Sequence, residues 1–525
     1  MIGSVIDRTK ESEPPTTFGD VIRRQRRLGG KIAFSDPSRE VSFAEFDDRV
    51  NRLADALRSR GLQAGDRIAL LGRNSISLLE YIGTMKAGLI PVPLNWRLST
   101  QELSVLIHDC SPKALVCDME GAIVADQMAL ALMPLRVCVD GDRQGWLNHE
   151  DLIRAGSKGE AHLVLDADDT ALLVYTSGTT GAPKGAMITH GGLLANCVAS
   201  AERAIEVDET DVILCAMPMF HVGGLCYYLL AAFAAGSTSI LRPAFDAADV
   251  VASLERFAIT NVHLVPTMIA DLIAQDGAAA AARSLRRIVY AGSSMPLALL
   301  HRAMNTFSEV RFSQSYGSTE GGLISCLSPD DHALASASRE QAHLLQSCGN
   351  VIAGCEIRVD NNEGREAAEG QLGEVLVRSP RMMKGYWKSP DKTASVMRGA
   401  WLCTGDIGYR DAAGYLYLVD RKNDMIVTGG ENVFPSEVEQ ILLLHPDVSE
   451  AAVFGLPDDR WVEKVVAAVV LRGGSTVTDA SLIAFTKRQL ASYKCPKEIF
   501  VLAKLPTTGV GKISRKILKD QVRSL

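Results

Sequence analysis

Short apolar runs alternate with helically patterned stretches through the first half of this sequence, and that alternation admits few architectures. Residues 66–71 (DRIALL) read as a strand, 78–87 as a helix and 89–93 as a strand. Ser99 with Glu102 caps a helix ending near Cys110, and 114–117 begins the next strand. Upstream, Ser42 and Glu45 form a capping box for a helix that stops at Gly61. The pattern returns as strand 212–216, helix 225–235, strand 239–241, helix 250–257 and strand 263–265. Such order predicts an α/β fold with largely parallel sheets, here two α/β subdomains side by side. From about Cys348 short strands with turns (CEIRV, GEVLVRS, YLYLV) predict a β-rich subdomain. The charged run DRKND at 420–424 then separates a small α+β unit. The expected division is a large domain over 1–420 and a small mobile domain over 421–525.

Composition narrows the function classes. At 525 residues the chain exceeds one compact domain, and 47% hydrophobic with 22% charged residues is ordinary globular usage. A net charge of −7 does not suit a nucleic-acid binder, so an anionic substrate would need local positive groups. Eleven cysteines without a CxxC pair predict reduced thiols and a cytoplasmic setting. Charged residues Asp7, Arg8, Lys10 and Glu11 with no apolar run behind them argue against a signal peptide. The uncharged stretch 222–241 is long enough to span a bilayer, but its glycines and hydroxyls predict a buried core helix instead. Arg23, Arg24, Arg26 and Arg27 read as a solvated helix face, and the alanine run 278–282 as structural filler.

The stretch VYTSGTTGAPKG at 174–185 follows an apolar run that reads as a buried strand. Its composition fits either a surface loop or a polyphosphate cradle. Gly178, Gly181 and Gly185 permit close backbone approach, Thr176, Ser177, Thr179 and Thr180 offer hydroxyl donors, and Lys184 adds a positive charge. No GxxxxGK[ST] loop occurs in the chain.

Four further motifs follow in order: QSYGSTEGG at 314–322, WLCTGD at 401–406, DRKNDMIVTGGENVFPSEVE from 420, and LPTTGVGKISRK near the C-terminus. Together with the glycine-rich loop they resemble the adenylate-forming superfamily of acyl-CoA synthetases, firefly luciferase-like enzymes and peptide-synthetase adenylation domains. The resemblance spans nearly the whole chain. It implies that ATP activates a carboxylate as an acyl-adenylate with loss of pyrophosphate, and that the acyl group then passes to CoA. Under it, Thr176, Ser177, Thr179, Thr180 and Lys184 hold the β and γ phosphates, with Gly178 and Gly181 in the same loop. Thr319 meets the α-phosphate, Glu320 binds Mg²⁺, and Tyr316 lies against adenine with Ser293, Ser315 and Gly317 nearby. Asp406 and Arg421 contact the ribose, and Lys512 sits over the reacting carboxylate and α-phosphate. Lys422 and Asn423 form the hinge, where Asn423 departs from the usual Asp or Lys, and Thr428, Gly429 and Gly430 line the CoA channel.

His221 in PMFHVGGL resembles a gate between acid and thiol tunnels, and its other reading is a core histidine. PMFHVGGL lacks the aspartate with which amino-acid-activating relatives bind an amino group, which favours a CoA ligase. With His221, the small residues Gly292, Gly317, Gly321 and Gly322 imply a roomy pocket for a fatty, aromatic or alicyclic acid. The alternatives are transfer to a carrier-protein thiol and an inactive scaffold that kept the fold. The expected partners are the acid, ATP and CoA, with no nucleic acid, no transmembrane segment and a homodimer as a further expectation.

Overall fold

The structure, a computed structural model, describes residues 14–128, 133, 135–160, 163–176, 183–361, 363–422, 424–428, 431–458, 461–507 and 513–523. The chain falls into two compact units, residues 1–356 with 377–402, and residues 357–376 with 403–525. The boundary expected at 420 lies within the second of these.

In the first unit the expected alternation becomes two sheets. A five-stranded sheet runs in the order Ile90–Leu94, Arg67–Leu71, Ala114–Cys117, Leu135–Cys138, Leu147–Asn148, with every pairing parallel. Its strands are continuous apolar runs because parallel sheets are covered on both faces; Ile68, Ala69, Leu70 and Leu71 are all buried. A nine-stranded sheet is ordered Asn350–Val351, Gly322–Leu327, Arg311–Ser318, Arg287–Ala291, Asn261–Leu264, Val212–Cys215, Thr238–Leu241, Ile32–Ser35, Glu40–Ser42. It is parallel from Arg311–Ser318 to Ile32–Ser35 and antiparallel at both edges. The chain reverses its direction of winding about Val212–Cys215, and ligands of open α/β sheets bind beyond the carboxyl ends of the strands at such a point.

The predicted helices form where side-chain oxygens can cap them. Ser42 accepts from the Glu45 N–H to start Phe43–Arg58, and Ser99 makes a full capping box with Glu102 at Thr100–Cys110. The arginine-rich segment is helical over Phe18–Gln25, with Arg23 and Arg24 half-exposed, while Phe18, Val21 and Ile22 are buried. Phe18 joins Phe34, Phe43 and Phe46 around Phe233, with Phe34 and Phe233 stacked at 5.4 Å. The uncharged stretch 222–241 is core: its helical part, Val222 to Ala234, contains the π-turn Leu225–Leu229, and a strand follows at Thr238–Leu241. Among the described residues no helix is long and apolar enough to cross a membrane.

In the second unit a sheet is ordered Glu431–Val433, Ile426–Thr428, Val462–Leu471, Val448–Asp458, with Glu498–Val501 parallel to Val462–Leu471. Its core gathers Ile426, Val433, Val438, Leu442, Val453 and Val465. The β-rich stretch after Cys348 forms Glu356–Asp360, Gly373–Arg378 and the antiparallel pair Trp401–Arg410 and Leu416–Arg421. None of the eleven cysteines is in a disulfide, and ten are buried, Cys403 being the half-exposed one.

Candidate active site

The strands that flank the glycine-rich stretch pair antiparallel. Thr170–Thr176 pairs with Lys184–Thr189 so that Thr176 stands opposite Lys184. Ser177, Gly178, Thr179, Thr180 and Gly181 lie outside the described residues. A third strand, Gly385–Tyr386, lies along Lys184–Thr189, with Tyr386 opposite Ala186.

Glu320 stands in the turn between Arg311–Ser318 and Gly322–Leu327, and its carboxylate reaches this strand pair. Thr176 Oγ1 donates to Glu320 Oε1 at 3.2 Å, and the Tyr386 hydroxyl donates to the same oxygen at 2.9 Å. The Lys184 ammonium lies 5.1 Å from the centre of the Tyr386 ring. Burial, then the charge of Glu320, pushes the Tyr386 phenol well above its ordinary pKa, so it remains a donor. Thr319, next to Glu320, is buried. Three of the sequence-predicted groups, Thr176, Lys184 and Glu320, therefore cluster at one place.

The turn is shaped by two glycines. The register slips between Tyr316 and Gly317, and a Cβ on Gly317 would lie 2.5 Å from the Gly322 carbonyl. Gly321 N–H donates to Ser318 Oγ at 2.9 Å, and the half-buried Tyr227 donates its hydroxyl to the Ser318 carbonyl at 2.6 Å. Ser315 and Tyr316 are buried in strand Arg311–Ser318, and Ser315 pairs with Ala291 on the neighbouring strand. Gly292 and Ser293 follow Ala291 at that strand's carboxyl end and are exposed. His221 lies beyond the carboxyl end of Val212–Cys215 and caps a short turn, its Nδ1 accepting from Gly223 N–H at 3.1 Å. The nucleotide and acyl candidates thus share the carboxyl edge of the nine-stranded sheet.

In the second unit Asp406 and Arg421 face each other across paired strands, with Arg421 Nε 2.6 Å from Asp406 Oδ1. The Asp406 side chain is buried, Arg421 is half-exposed, and Lys422 Nζ reaches Glu374 at 3.0 Å. Thr428 is buried at the end of Ile426–Thr428. Asn423, Gly429, Gly430 and Lys512 lie outside the described residues. Arg515, just beyond Lys512 in sequence, is held by Glu439 at 2.8 Å, Asp424 at 3.1 Å and the Val453 carbonyl at 3.0 Å.

Sequence reasoning passed over Tyr386, Tyr227 and Arg515. Tyr386 and Tyr227 reach the site only through strand pairing and helix packing. Arg515 stood in the quoted GKISRK motif, where its charge and its spacing from Lys512 were the available signal.

A family model described as AMP-binding enzyme matches residues 22–387, and one described as AMP-binding enzyme C-terminal domain matches residues 437–512. The indoleacetate–CoA ligase of Aromatoleum aromaticum is 36% identical over 500 residues, 94% of this chain and 95% of that protein. A feruloyl-CoA synthase of an Amycolatopsis species is 36% identical over 508 residues, 96% of this chain and 97% of that one. The crystal structure of ATP-bound MatB from Rhodopseudomonas palustris superposes with a TM-score of 0.87 at 28% identity, covering 96% of this chain and 99% of that one. The chain belongs to the AMP-binding enzyme family, with the C-terminal domain of that family.

Proposed function

We propose that this protein is an AMP-forming carboxylate–CoA ligase that activates a fatty, aromatic or alicyclic acid, with aryl-bearing acids the first to test. The observation that carries the reading is the convergence of Thr176, Lys184 and Glu320 at the ends of the strands that flank the glycine-rich stretch. Two CoA-ligating relatives matched over more than nine-tenths of the chain support the acceptor. The absence of an aspartate from PMFHVGGL supports a substrate without an α-amino group.

In the first half-reaction the carboxylate attacks the α-phosphorus of ATP and pyrophosphate leaves, so negative charge grows on phosphate oxygens. Fixed donors are worth most there, because they need no reorganisation as the charge develops. Thr176 and Lys184, with Ser177, Thr179 and Thr180, hold the β and γ phosphates, and Thr319 meets the α-phosphate. Tyr316 stacks on adenine, and Asp406, steadied by Arg421, accepts from the ribose hydroxyls. Lys512 bridges the carboxylate and the α-phosphate.

Glu320 offers a hard carboxylate oxygen of the kind Mg²⁺ takes. Among the described residues no cluster of three or more His, Cys, Asp or Glu could hold a metal, so Glu320 would share the ion with phosphate oxygens. When bound, Mg²⁺ supplies charge neutralisation along the triphosphate.

For the second half-reaction we place the hinge at Lys422 and Asn423, with residues 421–525 moving as the small domain and Thr428, Gly429 and Gly430 along the CoA path. His221 gates the acyl pocket formed with Gly292, Gly317 and Gly321. Buried, unbridged cysteines support a cytoplasmic setting.

The test is a panel of aryl, alicyclic and fatty carboxylates incubated with ATP and Mg²⁺, with CoA or an acyl-carrier protein as acceptor. The expected result is carboxylate-dependent pyrophosphate release and CoA-dependent AMP and thioester formation for one substrate class. Thioester on the carrier protein alone would replace CoA as the acceptor. No pyrophosphate release with any carboxylate would sink the proposal.

A further inference from the structure

We propose that Tyr386 is a positioning residue that ties the phosphate-binding lysine to the cation-binding carboxylate. The inference rests on the reading of Lys184 and Glu320 given above. It adds a third member that acts through both of them.

The backbone holds Tyr386 from two sides. Toward the strand pair, Lys384 N–H donates to the Met187 carbonyl at 2.9 Å and Trp387 N–H to the Gly185 carbonyl at 2.7 Å. Away from it, Tyr386 N–H donates to Thr393 Oγ1 at 2.9 Å. Gly385 makes this possible, because its φ of +149° suits glycine and a Cβ there would stand 3.0 Å from Thr393 Cγ2. The strand that carries Tyr386 is therefore locked to the strand that carries Lys184.

The same segment grips Glu320 twice. Met383 N–H donates to the Glu320 carbonyl at 2.8 Å, and the Tyr386 hydroxyl donates to Glu320 Oε1 at 2.9 Å. With Thr176 on that oxygen as well, the carboxylate plane is fixed and Oε2 is the oxygen presented to a cation. Outer donors of this kind orient metal-ligating carboxylates, and their loss costs about 10- to 100-fold in metal affinity. The Tyr386 ring meanwhile holds the ammonium of Lys184, the lysine proposed to bind phosphate, at 5.1 Å. Only a buried phenol does both tasks at once, and Tyr386 is buried.

Two variants separate the two tasks. Tyr386→Phe keeps the ring and removes the hydroxyl, whereas Tyr386→Leu removes both. Binding of Mn²⁺, read by electron paramagnetic resonance, is measured on the full chain with a non-hydrolysable ATP analogue present, alongside Glu320→Gln. A circular-dichroism spectrum matching the parent certifies the fold of each variant. Tyr386→Phe should weaken Mn²⁺ binding about tenfold and raise the Mg²⁺ needed for half-maximal pyrophosphate release, leaving metal-free binding of the analogue at its parent value. Tyr386→Leu should in addition weaken that metal-free binding. Unchanged Mn²⁺ affinity in Tyr386→Phe with reduced affinity in Glu320→Gln overturns the inference and leaves Glu320 as a ligand. Unchanged affinity in both overturns the assignment of Glu320 itself.

Discussion

Glu320 receives Thr176 and Tyr386 on one carboxylate oxygen, with Lys184 waiting above the tyrosine ring. Charges placed so close to bound triphosphate should matter while pyrophosphate is still attached and little afterwards. Lys184→Ala and Lys512→Ala are therefore expected to slow carboxylate-dependent pyrophosphate release by about 10²- to 10³-fold, the usual effect of losing one preorganised donor. Thioester formation from a supplied acyl-adenylate should change far less, and rapid-quench assays of the two half-reactions would read the split. Equal loss in both steps would place the two lysines outside adenylation. Lys184 drew notice because it sits in a short run dense with glycine and hydroxyls, and Glu320 through the resemblance of QSYGSTEGG to a family motif; the structure brings the two together at Thr176 and Tyr386. Tyr386 was not, since it stands 66 residues beyond Glu320 and only the pairing of Gly385–Tyr386 with Lys184–Thr189 delivers it.

At the scale of elements, the parallel strands were legible because burial on both faces demands unbroken apolar runs. Strands 66–71 and 114–117 fall within a residue of their observed bounds, Arg67–Leu71 and Ala114–Cys117. The antiparallel edges were not read, because Gly322–Leu327 and Asn350–Val351 are set by a neighbour's hydrogen bonds rather than by a pattern of their own. The helix starts at Ser42 and Ser99 were readable because each serine caps its helix, whereas those at Ser75 and Ser328 were not read. The turn that carries Glu320 closes at Gly322, which has φ +73° and would place a Cβ 2.6 Å from Arg381 Cβ and 2.7 Å from its carbonyl. Gly322→Ala should therefore lower stability by about 1–3 kcal/mol and weaken ATP binding through displacement of Glu320. Gly277 has φ +78° and open space, with nothing within 4 Å of where a Cβ would stand, so Gly277→Ala should cost only the backbone term, about 1 kcal/mol. Denaturant melts of the two variants test the difference, and equal costs would deny the packing argument.

For the whole molecule, acid should strike the two units differently. His190, His263 and His332, all in the first unit, are buried, and burial pulls each pKa down to about 4. A folded-state value below the unfolded one of about 6.5 means that their stabilisation is complete above pH 6.5 and is lost as pH falls through about 4. Glu80 acts in the same direction: its burial is outweighed by His149 and the neighbouring arginines, which hold it below the ordinary carboxylate range. In the second unit the sign is opposite, because burial, against the pull of Arg515, pushes the Asp420 and Glu439 carboxyls up. Calorimetry between about pH 7 and pH 4 should show the first unit losing its melting temperature earlier, and a uniform shift of both would contradict this. The charged run at 420–424 marks a change of local character, whereas compactness groups 357–376 and 403–420 with the residues that follow it. The thiols carry a practical consequence. Burial raises the pKa of Cys110, Cys117, Cys215 and Cys226, which suppresses the thiolate that an alkylating dye attacks. A maleimide fluorophore added in limiting amount should therefore couple at Cys403 alone, which gives the wild-type chain a ready-made optical tag for following turnover one molecule at a time.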